Sequence, residues 1–325
     1  MTKKKDLIIL TGPTAAGKTD LSIKLAQTIG GAIISADSMQ VYKKLDIGSA
    51  KIKKEEMKGV PHYLIDILEP KDCFNVCVFK EQALAALDDI YKKGLIPIVT
   101  GGTGFYIQAL LYDIDFDDDS NDPDLRNELE KRAEEDPDAL YEELLGVDPE
   151  SAAIIHKNNV KRVIRALEFY RLTGQKISEH NSAEHAKSSA YNSAYFVLNM
   201  PRPILYQRID KRVDMMFEEG LYDEVKTLYD SGLSKECTSM QGLGYKELFD
   251  HFAGEISLDE AIYRIKRDTR HFAKRQLTWF RRERDVIFIN KDEFGSEDEV
   301  LDHMLGILKS KDIIYCGKNE ENSVK

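Results

Sequence analysis

The chain has 325 residues, of which 42% are hydrophobic and 32% are charged, as is typical of a soluble globular protein. This length exceeds the ~100–200 residues of one ordinary domain, so we expect an α/β core and a second body. No apolar run is long enough to cross a membrane, and no signal peptide precedes the first predicted strand. Both observations favour a cytoplasmic protein without a membrane partner. The four cysteines are too few and too scattered for a disulfide framework.

The net charge of −11 is concentrated in one stretch and does not exclude a nucleic-acid partner. Residues 113–150 hold 17 Asp or Glu against 3 Lys or Arg, a net charge of −14, and without them the chain carries +3. Residues 264–285 hold nine Lys or Arg against three acids. Such a basic helix is often only a solvated face. Together with Trp279, Phe280 and the positive remainder, however, it favours contact with nucleic acid.

Residues 7–19 predict a phosphate-binding loop. A short apolar run indicates a buried strand, and Gly12, Gly17, Lys18 and Thr19 follow it with the complete phosphate-loop spacing. Glycines let several backbone N–H groups converge on one anion, and the following helix adds the positive end of its dipole. Lys18 would reach the terminal phosphoryl oxygens, and the Thr19 hydroxyl is placed to bind Mg²⁺. The loop therefore predicts a polyphosphate ligand and a Mg²⁺ cofactor.

Two further predicted strands bring polar residues to the same edge of the sheet. The apolar run at 32–34 leads to Asp37, and the run at 95–100 leads to a glycine-rich segment with Thr103. The carboxyl ends of parallel strands meet at one edge, so both residues are expected beside the phosphate loop. Asp37 is either a catalytic or metal-proximal carboxylate or a capping residue. A conventional ATPase would have an acidic residue after the strand at 95–100, and glycines stand there instead. They disfavour such an ATPase and suit the close approach of a flat ligand.

The middle of the chain is predicted to be helical. Three Asp-Pro pairs typical of helix starts lie there, at Asp122, Asp136 and Asp148. A basic helix follows at about 158–172, and the polar run at 178–193 is predicted to be a loop. The chain then returns to the sheet at 194–200, continues through helices rich in arginine, one of them at about 257–284, and closes with a strand at 286–289.

The predicted fold is α/β, a P-loop NTPase-like parallel sheet flanked by helices, with an inserted all-helical domain. Residues 1–112 would form the first part of the core, and 113–193 the inserted domain. Residues 194–316 would continue the core with basic C-terminal helices, and 317–325 would be a frayed tail.

The motifs together resemble the tRNA dimethylallyltransferase (tRNA isopentenyltransferase) family over nearly the whole chain. The matching segments are 12–19, 37–42, 45–48, 101–106, 162–168, 242–245 and 275–280. Ala16, where a serine is expected, and Lys161, where a glutamine is common, depart from the pattern. The resemblance implies transfer of a dimethylallyl group from dimethylallyl diphosphate to N6 of the adenosine 3′-adjacent to the anticodon of tRNA.

The resemblance also implies roles for particular residues. Asp37, Thr103 and Lys18 would be catalytic. The diphosphate would be bound by Gly12, Pro13, Thr14, Ala15, Ala16, Gly17, Lys18, Thr19 and Arg212, with Mg²⁺ at Thr19. The anticodon stem-loop of tRNA would contact Asp37, Ser38, Met39, Gln40, Thr103, Arg126, Lys161, Arg162, Val163, Ile164, Arg165, Met240, Gln241, Gly242, Gly244, Tyr245 and Lys246. The inserted domain would be the tRNA-binding domain, and we expect a monomer.

Three alternatives remain open from the residues alone. A small-molecule P-loop kinase would share residues 7–40 but would not need the inserted domain or the basic helices. A related isopentenyltransferase acting on free adenine nucleotides would share the chemistry but would not retain tRNA. A non-catalytic RNA-binding protein would tolerate the loss of Asp37 and Lys18.

Overall fold

The computed structural model describes residues 4–115 and 122–314, except for the side chain of His185. Contacts divide the chain into two compact units. The core unit consists of the described residues of Met1–Leu111 and Ala190–Lys325, and the helical unit is Tyr112–Ser189. The predicted tail at 317–325 lies outside the described residues.

One parallel sheet forms the centre of the core unit. Its strands are β1 (Lys5–Thr11), β2 (Gly31–Ala36), β3 (His62–Tyr63), β4 (Ile96–Gly101), β5 (Tyr191–Asn199) and β6 (Val286–Asn290). The strand order is β3-β2-β4-β1-β5-β6, and every neighbouring pair is parallel. Central strands such as β1 and β2 are near-continuous apolar runs because helices cover both faces of such a sheet. The predicted α/β fold class is confirmed.

The helices, in chain order, are α1 (Lys18–Ile29), α2 (Val76–Lys92), α3 (Gly104–Leu111), α4 (Pro123–Glu135), α5 (Pro137–Val147), α6 (Pro149–Ile154), α7 (Val160–Thr173), α8 (Ile177–Ala186), α9 (Arg202–Glu218), α10 (Leu221–Asp230), α11 (Tyr245–Phe252), α12 (Leu258–Phe280) and α13 (Glu297–Ser310). A 3₁₀ helix covers Thr238–Gln241. Within the described ranges, none of these helices combines the length and apolar character that crossing a membrane requires.

The return to the sheet begins earlier than predicted. Strand β5 starts at Tyr191, three residues before the apolar run, and pairs in register with β1 from Lys5 onward. The polar residue Asn192 fits there because its Nδ2 donates to Asp6 Oδ1 at 2.7 Å. Hydrophobic patterning alone does not reveal such a strand start, since the partner carboxylate is far away in sequence.

The helical unit has its own apolar core, formed by buried residues such as Leu129, Leu140, Leu144, Val163 and Leu167. The three Asp-Pro signals are confirmed, because the side chains of Asp122, Asp136 and Asp148 accept backbone N–H groups at the starts of α4, α5 and α6.

The predicted loop at 178–193 is wrong, since it contains α8. Buried Asp148 explains the difference. Its carboxylate accepts hydrogen bonds from Ser178 N at 3.0 Å and from Ser178 Oγ at 2.7 Å, besides capping α6 through Ser151 N. One aspartate thus stabilises the first turn of two helices, and this long-range contact compensates for the polar sequence of α8.

Candidate active site

The phosphate loop connects β1 with α1 at the carboxyl edge of the sheet. Gly12 has a φ of 147°, and a Cβ at this position would lie 2.6 Å from Leu198 O, so only glycine fits. Lys18 Nζ donates to Gly12 O at 3.0 Å and to Pro13 O at 2.8 Å. The lysine therefore lies along the inner side of the loop, where the spacing of the motif predicts it.

Two cations and one carboxylate meet at this loop. Burial, followed by the positive charge of Arg212, lowers the pKa of Lys18 to about 8, and the negative charge of Asp37 partly opposes this shift. Burial likewise lowers the pKa of Arg212, again against the effect of Asp37. Desolvated cations of this kind gain most from an anionic ligand, so the cluster favours the binding of a polyphosphate.

The lowered pKa of Lys18 predicts a pH dependence for anion binding. Because the pKa lies below its usual value, Lys18 is charged below pH 8 and loses its proton as the pH rises through about 8. We expect inorganic diphosphate to bind with its highest affinity below that pH. Above it, the affinity should fall by at most about tenfold per pH unit. Calorimetric titration from pH 7 to 9 measures this change. A Lys18→Met variant should bind weakly without this inflection, and a flat profile in the parent protein would contradict the assignment.

Two further cations near the loop were not singled out from the sequence. A Cβ on Gly17 would lie 3.0 Å from Lys291 Nζ and 3.6 Å from Arg208 Nη2. Arg208 precedes Arg212 by four residues and so lies on the same side of α9. Lys291 follows β6, and the rule that ligands bind at the carboxyl ends of strands could have identified it.

Asp37 follows β2, and its carboxylate shapes the turn after the strand. Its Oδ1 accepts a hydrogen bond from Met39 N at 2.8 Å and another from Gln40 N at 3.3 Å. Asp37 also lines the cavity described below. The capping role and a catalytic role are therefore compatible, because the hydrogen bonds of the turn go to one of the two carboxylate oxygens.

Gln276 of α12 connects the phosphate loop with the glycine-rich loop after β4. Its Oε1 accepts from Thr14 N at 3.0 Å, and its Nε2 donates to Gly102 O at 2.9 Å. A Cβ on Gly102 would lie 2.1 Å from Gln276 Nε2, and one on Gly104 would lie 2.3 Å from Trp279 Cδ1. These glycines make room for side chains of α12, and Gly102 also lines the cavity described below.

A cavity of about 320 Å³ opens between these loops in the core unit. Its polar lining includes Thr14, Asp37, Ser38, Thr103, Arg212, Gln241, Lys246, Arg275 and Gln276. Its apolar lining includes Met39, Ile209, Val213, Met216, Leu221, Leu243, Ile265 and Phe272. The cavity therefore offers both a charged site beside the phosphate loop and an apolar surface for a hydrocarbon or a base.

The segment from Met240 to Lys246 is divided between the cavity and the interior. Gln241, Gly242, Gly244 and Lys246 line the cavity. The side chains of Met240 and Tyr245 are buried, and the Tyr245 hydroxyl donates to Glu224 Oε1 at 2.7 Å. These two side chains belong to the buried interior of the core unit.

The basic helix α7 of the helical unit likewise has an exposed and a buried side. Lys161 and Arg162 are exposed, whereas Val163 and Ile164 pack in the apolar core, so the side chains of these two predicted contacts face the interior. Arg165 Nη1 donates to Glu168 Oε2 at 3.1 Å, and Arg126 Nη1 donates to the same oxygen at 3.2 Å. Glu168 is buried, and its Oε1 has no hydrogen-bond partner among the described residues.

The residues present fit a Mg²⁺ ion that is bound partly by the protein and partly by the phosphate oxygens of a ligand. Thr19 is exposed at the start of α1. Over residues 4–115 and 122–314, the structure contains no group of three or more His, Cys, Asp or Glu that could hold a metal ion. Mg²⁺ prefers one or two protein ligands together with phosphate oxygens and water, which matches this donor set.

The chain matches two family models. The model described as IPP transferase covers residues 40–283, and the model described as isopentenyl transferase covers residues 5–71. A curated tRNA dimethylallyltransferase from Lachnoclostridium phytofermentans is 55% identical to this chain over 309 residues, which are 95% of this chain and 99% of that protein.

Three solved structures are similar over nearly the whole chain. The tRNA isopentenylpyrophosphate transferase of Bacillus halodurans is 42% identical, with a TM-score of 0.71 and coverage of 95% of this chain and 99% of that one. The tRNA delta(2)-isopentenylpyrophosphate transferase of Staphylococcus epidermidis is 41% identical, with a TM-score of 0.70 and coverage of 94% and 100%. A eukaryotic dimethylallyltransferase acting on tRNA is 32% identical, with a TM-score of 0.81 and coverage of 95% and 79%.

Proposed function

The chain belongs to the IPP transferase family, and on that premise we propose that it transfers a dimethylallyl group from dimethylallyl diphosphate to tRNA. The proposed acceptor atom is N6 of the adenosine 3′-adjacent to the anticodon, in the anticodon stem-loop. We propose that the enzyme acts as a monomer in the cytoplasm, with Mg²⁺ bound at Thr19.

The proposal depends most on the shared cavity. Asp37, Thr103 and Arg212 line it together with Thr14 of the phosphate loop, and the charges of Asp37 and Arg212 both affect the pKa of Lys18. A carboxylate that could accept a proton and cations that could stabilise a leaving diphosphate are therefore neighbours. The apolar lining suits the dimethylallyl group and one face of an adenine.

In the proposed step, a bond forms between N6 of the adenine and C1 of the dimethylallyl group while the C1–O bond breaks. The electron pair of that bond leaves on the diphosphate, and N6 loses one proton, for which Asp37 is the proposed acceptor. An exocyclic adenine amine is a poor nucleophile because its lone pair is delocalised into the ring. The reaction therefore depends on orientation, for which Thr103 is the proposed hydrogen-bond partner, and on stabilisation of the leaving group.

Lys18, Arg212 and the backbone N–H groups of residues 12–19 are the proposed ligands of the leaving diphosphate. Arg208 lies near Gly17 and would add to this positive surface, whereas the nearby Lys291 is paired with Glu297 at 3.3 Å. When bound, Mg²⁺ would neutralise part of the negative charge on the diphosphate oxygens, with the Thr19 hydroxyl as its protein ligand. The proposed role of the phosphate loop is thus to bind the diphosphate that leaves in the reaction.

The tRNA is proposed to contact the residues at 37–40 and 240–246 in the core unit. In the helical unit, the proposed contacts are Arg126, Lys161, Arg162 and Arg165, with Val163 and Ile164 limited to backbone contacts because their side chains are buried. A base stacked in its loop must leave the stack to reach a cavity, so contacts on more than one segment are needed to hold the distorted loop.

Mass spectrometry of tRNA nucleosides tests the proposed function. Purified protein, Mg²⁺ and dimethylallyl diphosphate are incubated with unmodified tRNA, and we expect N6-isopentenyladenosine at the position 3′ to the anticodon. Parallel reactions replace tRNA with adenosine monophosphate, or the donor with ATP and small-molecule acceptors. Modification of free nucleotide alone would favour the related nucleotide-modifying activity, and phosphoryl transfer from ATP would favour a kinase.

Replacing Arg162 with alanine is expected to weaken tRNA binding and to reduce the log–log salt slope by about 0.7–0.9, as for the loss of one phosphate contact. Arg162 is exposed, and within the part of the chain that the structure describes it has no ion-pair partner. Its charge is therefore available to a phosphate. Binding measured at several salt concentrations gives the slope.

Arg171→Ala is the matched control, because Arg171 lies on the same helix but is paired with Glu128 and Glu143. This variant should lose thermal stability with little change in the salt slope. Arg165→Ala is expected to show an intermediate loss of thermal stability and an intermediate change in the salt slope, since Arg165 also pairs with Glu168. An Arg162→Ala protein that keeps the parent affinity and slope would remove Arg162 from the proposed tRNA contacts.

A further inference from the structure

The carboxylate of Glu224 on α10 accepts four hydrogen bonds. Oε2 accepts from Asp46 N at 3.0 Å and from Ile47 N at 2.7 Å. Oε1 accepts from Gly48 N at 3.1 Å and from the Tyr245 hydroxyl at 2.7 Å. Three successive backbone N–H groups pointing at one anion form a concave nest, which here encloses a side chain of the protein itself.

The segment held in this way is a wall of the active-site cavity. Gly48, Ser49 and Ala50 all line the cavity. Their carbonyl side is held by Gln40, whose Nε2 lies 3.3 Å from both Ser49 O and Ala50 O and donates to them. Residues 46–50, which we call the wall loop, are therefore fixed by Glu224 through their N–H groups and by Gln40 through their carbonyl groups.

Gln40 also belongs to the turn that carries Asp37, because its backbone N–H donates to Asp37 Oδ1. A continuous chain of hydrogen bonds thus connects Glu224 with the wall loop, the wall loop with Gln40, and Gln40 with the proposed proton acceptor. Hydrogen bonds to a charged group are stronger than those between neutral groups, so the bonds to Glu224 hold the wall loop more strongly than the amide bonds from Gln40 do.

Tyr245 completes the support. A Cβ on Gly48 would lie 2.6 Å from Tyr245 Cζ, so the tyrosine ring packs directly on the wall loop. Burial, followed by the negative charge of Glu224, raises the pKa of Tyr245 well above its usual value. The hydroxyl therefore stays protonated and remains a donor to Glu224.

We infer that Glu224 is a positioning residue of the transfer reaction, which holds the wall loop so that Gln40 and the Asp37 turn keep their place at the cavity. The inference rests on the proposed function. The hydrogen bonds that the described residues give to Glu224 come from residues 46–48 and Tyr245, and not from the phosphate loop. We therefore expect it to affect orientation of the acceptor adenosine and not binding of the donor.

Glu224→Gln tests this inference with little change in shape. The glutamine amide has only one acceptor oxygen, so at least one N–H of the wall loop loses its partner or faces another donor. We expect single-turnover transfer to slow by about 10- to 100-fold, the loss that misplacement of a reacting group produces, with the KM for dimethylallyl diphosphate nearly unchanged. Hydrogen exchange should accelerate at the amides of residues 46–48.

Asp223→Asn is the control, because Asp223 is exposed and lies with Glu224 in the acidic first turn of α10. Both variants lose the same favourable interaction with the helix dipole. Only Glu224→Gln should change transfer and exchange. Glu224→Asp, which keeps the charge but shortens the side chain, is the second variant should the glutamine protein not fold, and it should also accelerate exchange at 46–48.

Two outcomes would overturn the inference. One is parent-like exchange at residues 46–48 in the Glu224 variants, and the other is parent-like transfer despite faster exchange. Failure of the parent protein to modify tRNA would instead count against the proposed function. The exchange measurement would still decide whether Glu224 holds the wall loop.

Discussion

An Asp37→Asn protein is expected to transfer the dimethylallyl group about 10²–10⁴ times more slowly than the parent, with tRNA and donor affinities changed little. Asparagine retains an oxygen that can accept from Met39 N and Gln40 N, so the turn after β2 should survive. It cannot accept the proton released from the adenine amine. Single-turnover kinetics measures the transfer rate, and a separate binding assay measures the affinity for tRNA.

Thermal melts distinguish this role from simple capping. If Asp37 only caps the turn, Asp37→Ala should lower stability by about 0.5–2 kcal/mol while the folded fraction turns over normally. Asp37→Asn, in which the cap is retained, should then behave as the parent does. A folded, tRNA-binding asparagine variant that transfers at the parent rate would remove Asp37 from the mechanism.

Lys18→Ala is expected to lower kcat/KM for dimethylallyl diphosphate by about 10²–10³, the cost of removing one charged donor from a developing anion. Lys18 lies against the inner side of the phosphate loop, and Arg212 remains to supply part of the charge. Steady-state kinetics with saturating tRNA measures the effect.

Lys24→Ala is a suitable control for that variant. Lys24 lies on the same helix, α1, but its ammonium group pairs with Glu297 and Asp298. Its loss should leave the kinetics with the donor unchanged. If Lys18→Ala keeps the parent kcat/KM for the donor, the phosphate loop does not hold the leaving group.

The residues that follow strands were predictable from the sequence because their position depends on local pattern. The phosphate-loop spacing placed Lys18, and the rule of parallel strand ends brought Asp37 and Thr103 to the same cavity. The Asp-Pro pairs predicted three helix starts for the same reason, since a cap acts within a few residues.

The supporting contacts were not predictable, because they join residues far apart in sequence. Gln276 reaches Thr14, and Glu224 reaches residues 46–48, through hydrogen bonds that no spacing rule reveals. Position in a motif also does not tell which side chains face a ligand. Tyr245, predicted as a tRNA contact by resemblance, is buried beneath the wall loop.

The two ends of the helical unit leave and re-enter the core unit at one point, since Ala190 N donates to Leu111 O at 3.3 Å. Strand β5, which pairs with β1, is therefore synthesised only after the whole insertion. The central sheet cannot be completed on the ribosome until the helical unit has emerged. The entropic cost of this long separation is small, about 0.6 kcal/mol for each doubling of a flexible loop, and a separately folded insertion with adjacent ends shortens the effective loop. A core of this kind tolerates a large inserted body with little loss of stability.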